Sequence, residues 1–141
     1  VKLLVPIDGS DTSLRAVDAL LAKLAAYRPP VEIHLLNVQH ALRKDVGQFV
    51  DHEEIRRYHQ EEGAKALAPA RARLDAQAIA HAAHVFVGDD PASVIVQFVK
   101  EQKVDEVVMG SHGRGELAQI LLGSVAREVL RGAGVPVTLI N

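Results

Sequence analysis

Four of the ten glycines in this 141-residue chain fall within one stretch, MGSHGRGELAQILLGS, from Met109 to Ser124. Their spacing is Gly110-x2-Gly113-x9-Gly123-Ser124, set between the apolar run VVM and the helix-forming SVAREVLR. Glycine is unfavourable in a helix by roughly 0.5–1 kcal/mol relative to alanine, so a cluster of this kind answers a backbone need. A turn without β-carbons lets several N–H groups converge on an anion. The helix that follows adds unpaired N–H groups and the positive end of its dipole. Phosphate is the anion this chemistry suits, and the Ser124 hydroxyl is placed to donate to the same oxygens. The structural alternative is that Gly110, Gly113 and Gly123 serve only turns and caps, with Ser124 as an ordinary N-cap.

Other reactive residue types carry weaker signals. Arg114, between Gly113 and Gly115, has two open readings, a phosphate partner or a solvated loop residue. His112 has no evident acid partner and reads as a loop position lining the site rather than a general base. His81 and His84 have H-x-x-H spacing, but they straddle a helix end and a strand start, and no third ligand is evident. They read as surface and edge histidines, and no metal site is expected. The charge-rich DHEEIRRYHQEEGAK reads as a solvated helix face.

These residues need elements to position them. Five runs rich in β-branched residues or leucine recur: KLLVPI (2–7), VEIHLLNV (31–38), HVFV (84–87), DEVVMG (105–110) and VPVTLI (135–140). The first, fourth and fifth are nearly continuous apolar runs, as expected of strands covered on both faces. Helix-length segments rich in Ala, Leu, Arg and Glu lie between them. The first helix has N-cap candidates from Ser10 to Ser13, an apolar face of Leu14, Val17, Leu20, Leu21 and Leu24, and a stop at RPP. A second helical region runs from about Asp51 to Ile79, and Pro69 is expected to kink or divide it. In DDPASVIVQFVKEQ, Asp89 or Asp90 caps and Pro91 suits the first helical position. The last helix ends at glycines, with Pro136 beyond. The polar connection 39–52 has no firm period. Strands alternating with helices predict an α/β fold, a doubly wound parallel sheet with helices on both faces. In such a sheet ligands bind outside the carboxyl ends of the strands, which is where Gly110 falls. No linker is evident, and residues 1–141 read as one domain.

Composition narrows the function classes. Hydrophobic residues make up 48% and charged residues 24%, the balance of a globular protein rather than a disordered one. A formal net charge of −2 offers no strong field to nucleic acid or acidic lipid. Apolar runs fall well short of the ~20 residues that span a bilayer, so no membrane association is expected. The absence of cysteine excludes disulfides and thiolate chemistry and fits a cytoplasmic location. VKLLVPI runs into DGS without a small-residue cleavage pattern, so Val1 reads as the start of a strand rather than of a signal.

The glycine spacing, VPIDGS near the start and GSVAREVLRGAGVPVTLI at the end resemble the ATP-binding universal stress proteins. The resemblance covers essentially the whole chain in order, through HLLNV and GDDPASVIV. It implies a five-stranded sheet of order 3-2-1-4-5, which would set Asp8 beside Gly110. It further implies that Asp8 contacts ribose hydroxyls and that backbone groups at Val38 meet adenine. Pro6 would flank the nucleoside, and Met109 and Gly110 would lie near the ribose. Gly113, Gly123, Ser124 and Val125 would face the phosphates, with Arg114 a further phosphate candidate. Members whose glycines are replaced are thought not to bind ATP, whereas this chain keeps every position.

The leading expectation is an ATP-binding regulatory protein of the stress response, with any Mg2+ arriving on the nucleotide. A homodimer through the last strand, Val135 to Ile140, is expected, because an uncovered apolar edge strand favours association and the family commonly pairs there. A hydride-transfer enzyme is disfavoured, because PIDGSDTS lacks the dinucleotide fingerprint after the first strand. GSHGRGE lacks the lysine of a P-loop. No catalytic residues are assigned, and at most slow ATP hydrolysis is expected. The alternative is a partner-binding stress protein of the same fold that does not use nucleotide.

Overall fold

A computed structural model describes residues 1–42, 51–113 and 122–141. The described residues form β1 (Lys2–Pro6), β2 (Glu32–Gln39), β3 (Ala82–Val87), β4 (Glu106–Gly110) and β5 (Val137–Ile140). These strands make one sheet in the order β3-β2-β1-β4-β5, and every pairing is parallel. Helices α1 (Asp11–Lys23), α2 (His52–Ala76), α3 (Pro91–Gln102) and α4 (Ser124–Gly132) cover its two faces, with a 3-10 turn over Leu24–Ala26. The fold class and strand order are those expected. Two strands start two residues away from the expected position, and the other bounds differ by one at most. β3 starts at Ala82, where it pairs with His34, and β5 starts at Val137, after Pro136 has accepted a bond from the Val107 N–H.

Strand alternation divides the core in two. Leu3, Val5, Ile33, Leu35 and Val108 meet Ala16, Val17 and Leu20 of α1 and Leu67, Ala70 and Leu74 of α2. On the other face Leu4, Leu36, Val107 and Met109 meet Ile95, Phe98 and Val99 of α3 and Ala126 and Val129 of α4. β1 is thus buried on both sides, which is why KLLVP carries no polar alternation. Each such fully buried Leu or Val contributes about 1.5–3 kcal/mol relative to an exposed one.

Pro69 does not divide the second helix. α2 runs unbroken from His52 to Ala76 with Pro69 inside it. Pro69 is exposed, as is Lys65, whose carbonyl loses its helical donor, so water can reach that group. Leu67, Ala70 and Leu74, on either side of the proline, are all buried against the sheet. The first and third helices have the expected N-cap residues. Ser10 accepts from the Ser13 N–H at 3.2 Å, and Asp90 precedes Pro91 and accepts from the Ser93 hydroxyl at 2.5 Å.

Candidate nucleotide site

The site is built at the carboxyl ends of β1 and β4, the central pair around which the strand order reverses. Beyond β1, the Ile7 N–H donates to the Leu36 carbonyl at 2.8 Å, and the Asn37 amide donates to the Ile7 carbonyl at 2.8 Å. Both bonds fix the chain just before Asp8. Gly9 follows with φ +84, a left-handed conformation that glycine adopts without strain. The Ser10 N–H then donates to Asp8 Oδ1 at 2.9 Å. Asp8 is exposed, and its other oxygen lies toward Gly113. A β-carbon added to Gly113 would lie 3.1 Å from Asp8 Oδ2. Asp8 thus reaches Gly113, three residues beyond Gly110, the glycine that the resemblance sets beside it.

The three signature glycines differ in what they make room for. Gly110, at the end of β4, faces α1, and a β-carbon there would lie 2.7 Å from Thr12 Cγ2 and 3.1 Å from the Thr12 backbone carbon. Its side is already filled by the fold. Among the described residues, Gly113 faces the tip of Asp8 alone. Gly123 has φ −67 and is the N-cap of α4, so its backbone conformation is open to any residue. Positive φ among the described glycines occurs at Gly9 and Gly134, not within the signature. Clearance, rather than a left-handed turn, explains Gly110 and Gly113.

Gly123 also corrects the N-cap reading of Ser124. The cap is Gly123, without a side-chain bond, and Ser124 is the first helical residue. The Gly123 N–H donates to the Ser111 carbonyl at 2.6 Å, so this group ties the two ends of the loop together instead of facing an anion. N–H groups of the first turn of a helix have no acceptor within it and point beyond its N-terminus. Here that turn starts with exposed Ser124 and half-buried Val125. Arg114 lies outside the described residues. Pro6 and Val38 sit at the ends of adjacent strands, with Pro6 paired to Leu36. Met109 is buried in the core beneath α3 and α4.

A network missed by the sequence analysis anchors the loop. Ser111 is buried, its N–H donates to the Ile140 carbonyl at 2.7 Å, and its hydroxyl donates to Asn141 Oδ1 at 2.8 Å. With its proton so used, that hydroxyl accepts from His112 Nδ1 at 2.9 Å, which assigns the proton to Nδ1. Arg15 donates to the Asn141 carbonyl at 2.8 Å and to Thr12 Oγ1 at 3.0 Å. The start of the loop is thereby held by the end of β5 and by α1. Serine between two glycines gave no cue, because its partners lie 30 residues away in sequence.

The arrangement offers a carboxylate, a backbone cleared of β-carbons and a helix start, all at one sheet edge. That set suits a ligand bearing vicinal hydroxyls and phosphate. The family model for the universal stress protein family matches residues 2–141. The chain belongs to the universal stress protein family. Among universal stress proteins, MJ0531 of Methanocaldococcus jannaschii is 34% identical across 99% of this chain and 81% of its own length. The solved structure of MJ0577 from the same organism matches at TM-score 0.81 and 29% identity, covering 99% of this chain and 94% of that one. A universal stress protein solved in complex with cAMP matches at TM-score 0.70 and 26% identity, covering 99% of this chain and 96% of that one.

Proposed function

We propose that this universal stress protein binds an adenine nucleotide, ATP in particular, at the carboxyl edge of β1 and β4, and that it acts as a regulatory homodimer. The observation that carries the reading is the clearance of Gly113 against Asp8 Oδ2, which no left-handed backbone at Gly113 requires. Asp8 takes the ribose hydroxyls, and Val38 and Pro6 border the base. The first turn of α4, with the Ser124 hydroxyl and Val125, takes the phosphates. Mg2+ arrives with the nucleotide. The related structure holding cAMP supports an adenine nucleotide as the ligand class.

The site is a binding site first. Fast phosphoryl transfer needs an oriented water and a positioned metal or arginine to spread the developing charge. His112 Nδ1 donates to the Ser111 hydroxyl, which orients the ring. Turnover in protein freed of contaminating ATPases stays below about 1 s⁻¹. The deciding experiment is to unfold the purified protein in acid, identify any nucleotide released, and titrate the emptied protein with ATP by calorimetry. An adenine nucleotide released, or saturable heat with ATP, supports the reading. A protein that is empty and ignores ATP overturns it in favour of a partner-binding role for the same fold.

A further inference from the structure

Away from the glycine loop, on the α3 face of the sheet, two histidines from neighbouring strands meet. His34 of β2 is buried, and its Nδ1 lies 2.8 Å from Nε2 of His84 on β3. The other nitrogen of His34, Nε2, lies 2.7 Å from Glu32 Oε1. The two rings stack with centroids 5.1 Å apart and planes 15° from parallel, and Phe98 of α3 meets the His84 ring edge-on at 4.9 Å. β3 is the outermost strand of the sheet, and Phe86 and Val87 at its end are exposed.

Proton counting makes the pair a switch. In the neutral pair His34 Nε2–H donates to Glu32, and His84 Nε2–H donates to His34 Nδ1. One added proton is compatible with the same bonds, on His84 Nδ1 or on His34 with the central bond reversed. Two added protons put hydrogens on both facing nitrogens, and no bond survives at that distance. Two imidazolium charges would then stack against Phe98. We propose that the His34–His84 pair is a proton-operated latch, closed with one added proton or none and opened by the second, which releases edge strand β3 in acid.

The surroundings favour holding one charge and refusing two. On β2, Glu32 is the only carboxylate bonded to the pair among the described residues. Lys2 of β1 lies 3.9 Å from Glu32 Oε1, and its ammonium donates to the Gln102 carbonyl at the end of α3. From α3, Glu101 lines a groove with Phe98 and Phe86, and it accepts from Gln97 at 2.7 Å. α2 packs on the opposite face, where Gly63 meets Val85. Burial first, and the neighbouring His34 second, push the His84 imidazole below the ordinary value of 6.5. A base depressed in the folded state contributes its stability fully above that ordinary value, and the contribution is lost as pH falls through the folded value.

The test uses nucleotide-free protein, so its outcome does not depend on the ligand assignment. Ring resonances of the 15N-labelled histidines are followed from pH 8 to pH 4.5, and amide exchange is measured across the same range. The expected result is a coupled titration of His34 and His84, with the His84 step below the ordinary histidine value. Residues 82–87 should lose protection through that step, once the intrinsic pH dependence of exchange is divided out, while β1 keeps its own. His84→Gln retains a donor for His34 Nδ1 and cannot take the second proton, so its β3 should stay protected in acid. Independent titration of both rings at ordinary values, or acid loss of protection in His84→Gln equal to that of the wild type, overturns the latch. If His84→Gln does not fold, the wild-type titration and exchange decide the matter alone.

Discussion

Asp8 Oδ2 stands 3.1 Å from the position that a β-carbon on Gly113 would occupy. The carboxylate that follows the first strand and the glycine that opens the loop thus share one small volume. Because the contact is the end of a movable side chain, filling it strains a ligand more than the fold. Gly113→Val should leave the melting temperature close to that of the wild type while removing ATP binding in calorimetric titration. Wild-type affinity in a well-folded Gly113→Val, Gly123→Val double variant would sink the cradle reading.

Gly110 should behave in the opposite way. A β-carbon there meets Thr12 Cγ2 at 2.7 Å and the Thr12 backbone at 3.1 Å, inside the packing of β4 on α1. Gly110→Ala should therefore destabilise the protein by about 1–3 kcal/mol, the usual cost of overpacking. Thr12→Ser removes the methyl group, so combining the two should recover part of the loss. Chemical denaturation of the four proteins of the cycle measures the coupling.

Asp8→Ala should weaken nucleotide binding while leaving the sheet intact. Loss of a hydrogen bond to a charged group costs about 1–3 kcal/mol, or about five- to 150-fold in dissociation constant. The Asp8–Ser10 turn is lost as well, so thermal melts must accompany the titration. An unchanged dissociation constant for ATP would remove Asp8 from the site.

The dimer expectation has a clean probe at the far edge. The Val107 N–H donates to the Pro136 carbonyl and the Ser111 N–H to that of Ile140, so even-numbered residues of β5 bond inward to β4. The N–H of Val137 therefore points away from the sheet. Val137→Pro should remove one outward donor while sparing the β4–β5 ladder, the one arrangement in which strands tolerate proline. Light scattering should show a dimer for the wild type at micromolar concentration and a shift to monomer for the variant. A monomeric wild type, or a variant that dimerises equally well, would count against pairing through β5.

Much of this was legible in the sequence because it depends on local chemistry. Continuous apolar runs mark strands buried on both faces, and Ser10 and Pro91 announce their helices with short-range signals. What stayed hidden depends on partners far along the chain. His34 sits in an apolar run with nothing to mark it, and its partner is 50 residues away. His81 and His84 read as surface and edge histidines, yet the His81 side chain is buried and His84 meets His34. Gly110 and Gly113 look alike in sequence. Only the tertiary fold shows that one faces Thr12 and the other Asp8. Pro69 leaves the helix undivided because the carbonyl that loses its donor belongs to exposed Lys65, where water can serve it.

The central position of β1 also bears on how the chain reaches its fold. Leu3 pairs with Ile33 on one side and with Glu106 on the other, so one edge of β1 closes through a nearby segment and the other through a distant one. As the chain emerges during synthesis, β1, β2 and β3 can assemble while the opposite edge of β1 still lacks its neighbour. Until β4 arrives, that half-sheet presents unpaired backbone groups and the bare side chains of Leu4 and Leu36, whose cover includes the later α3 and α4. Exposed apolar edges of this kind are where nascent chains join one another wrongly, and closing a long-range parallel pair is slow. The strand that leads to Asp8 therefore leaves the half-made chain with an open edge and a bare apolar face until its C-terminal half is in place.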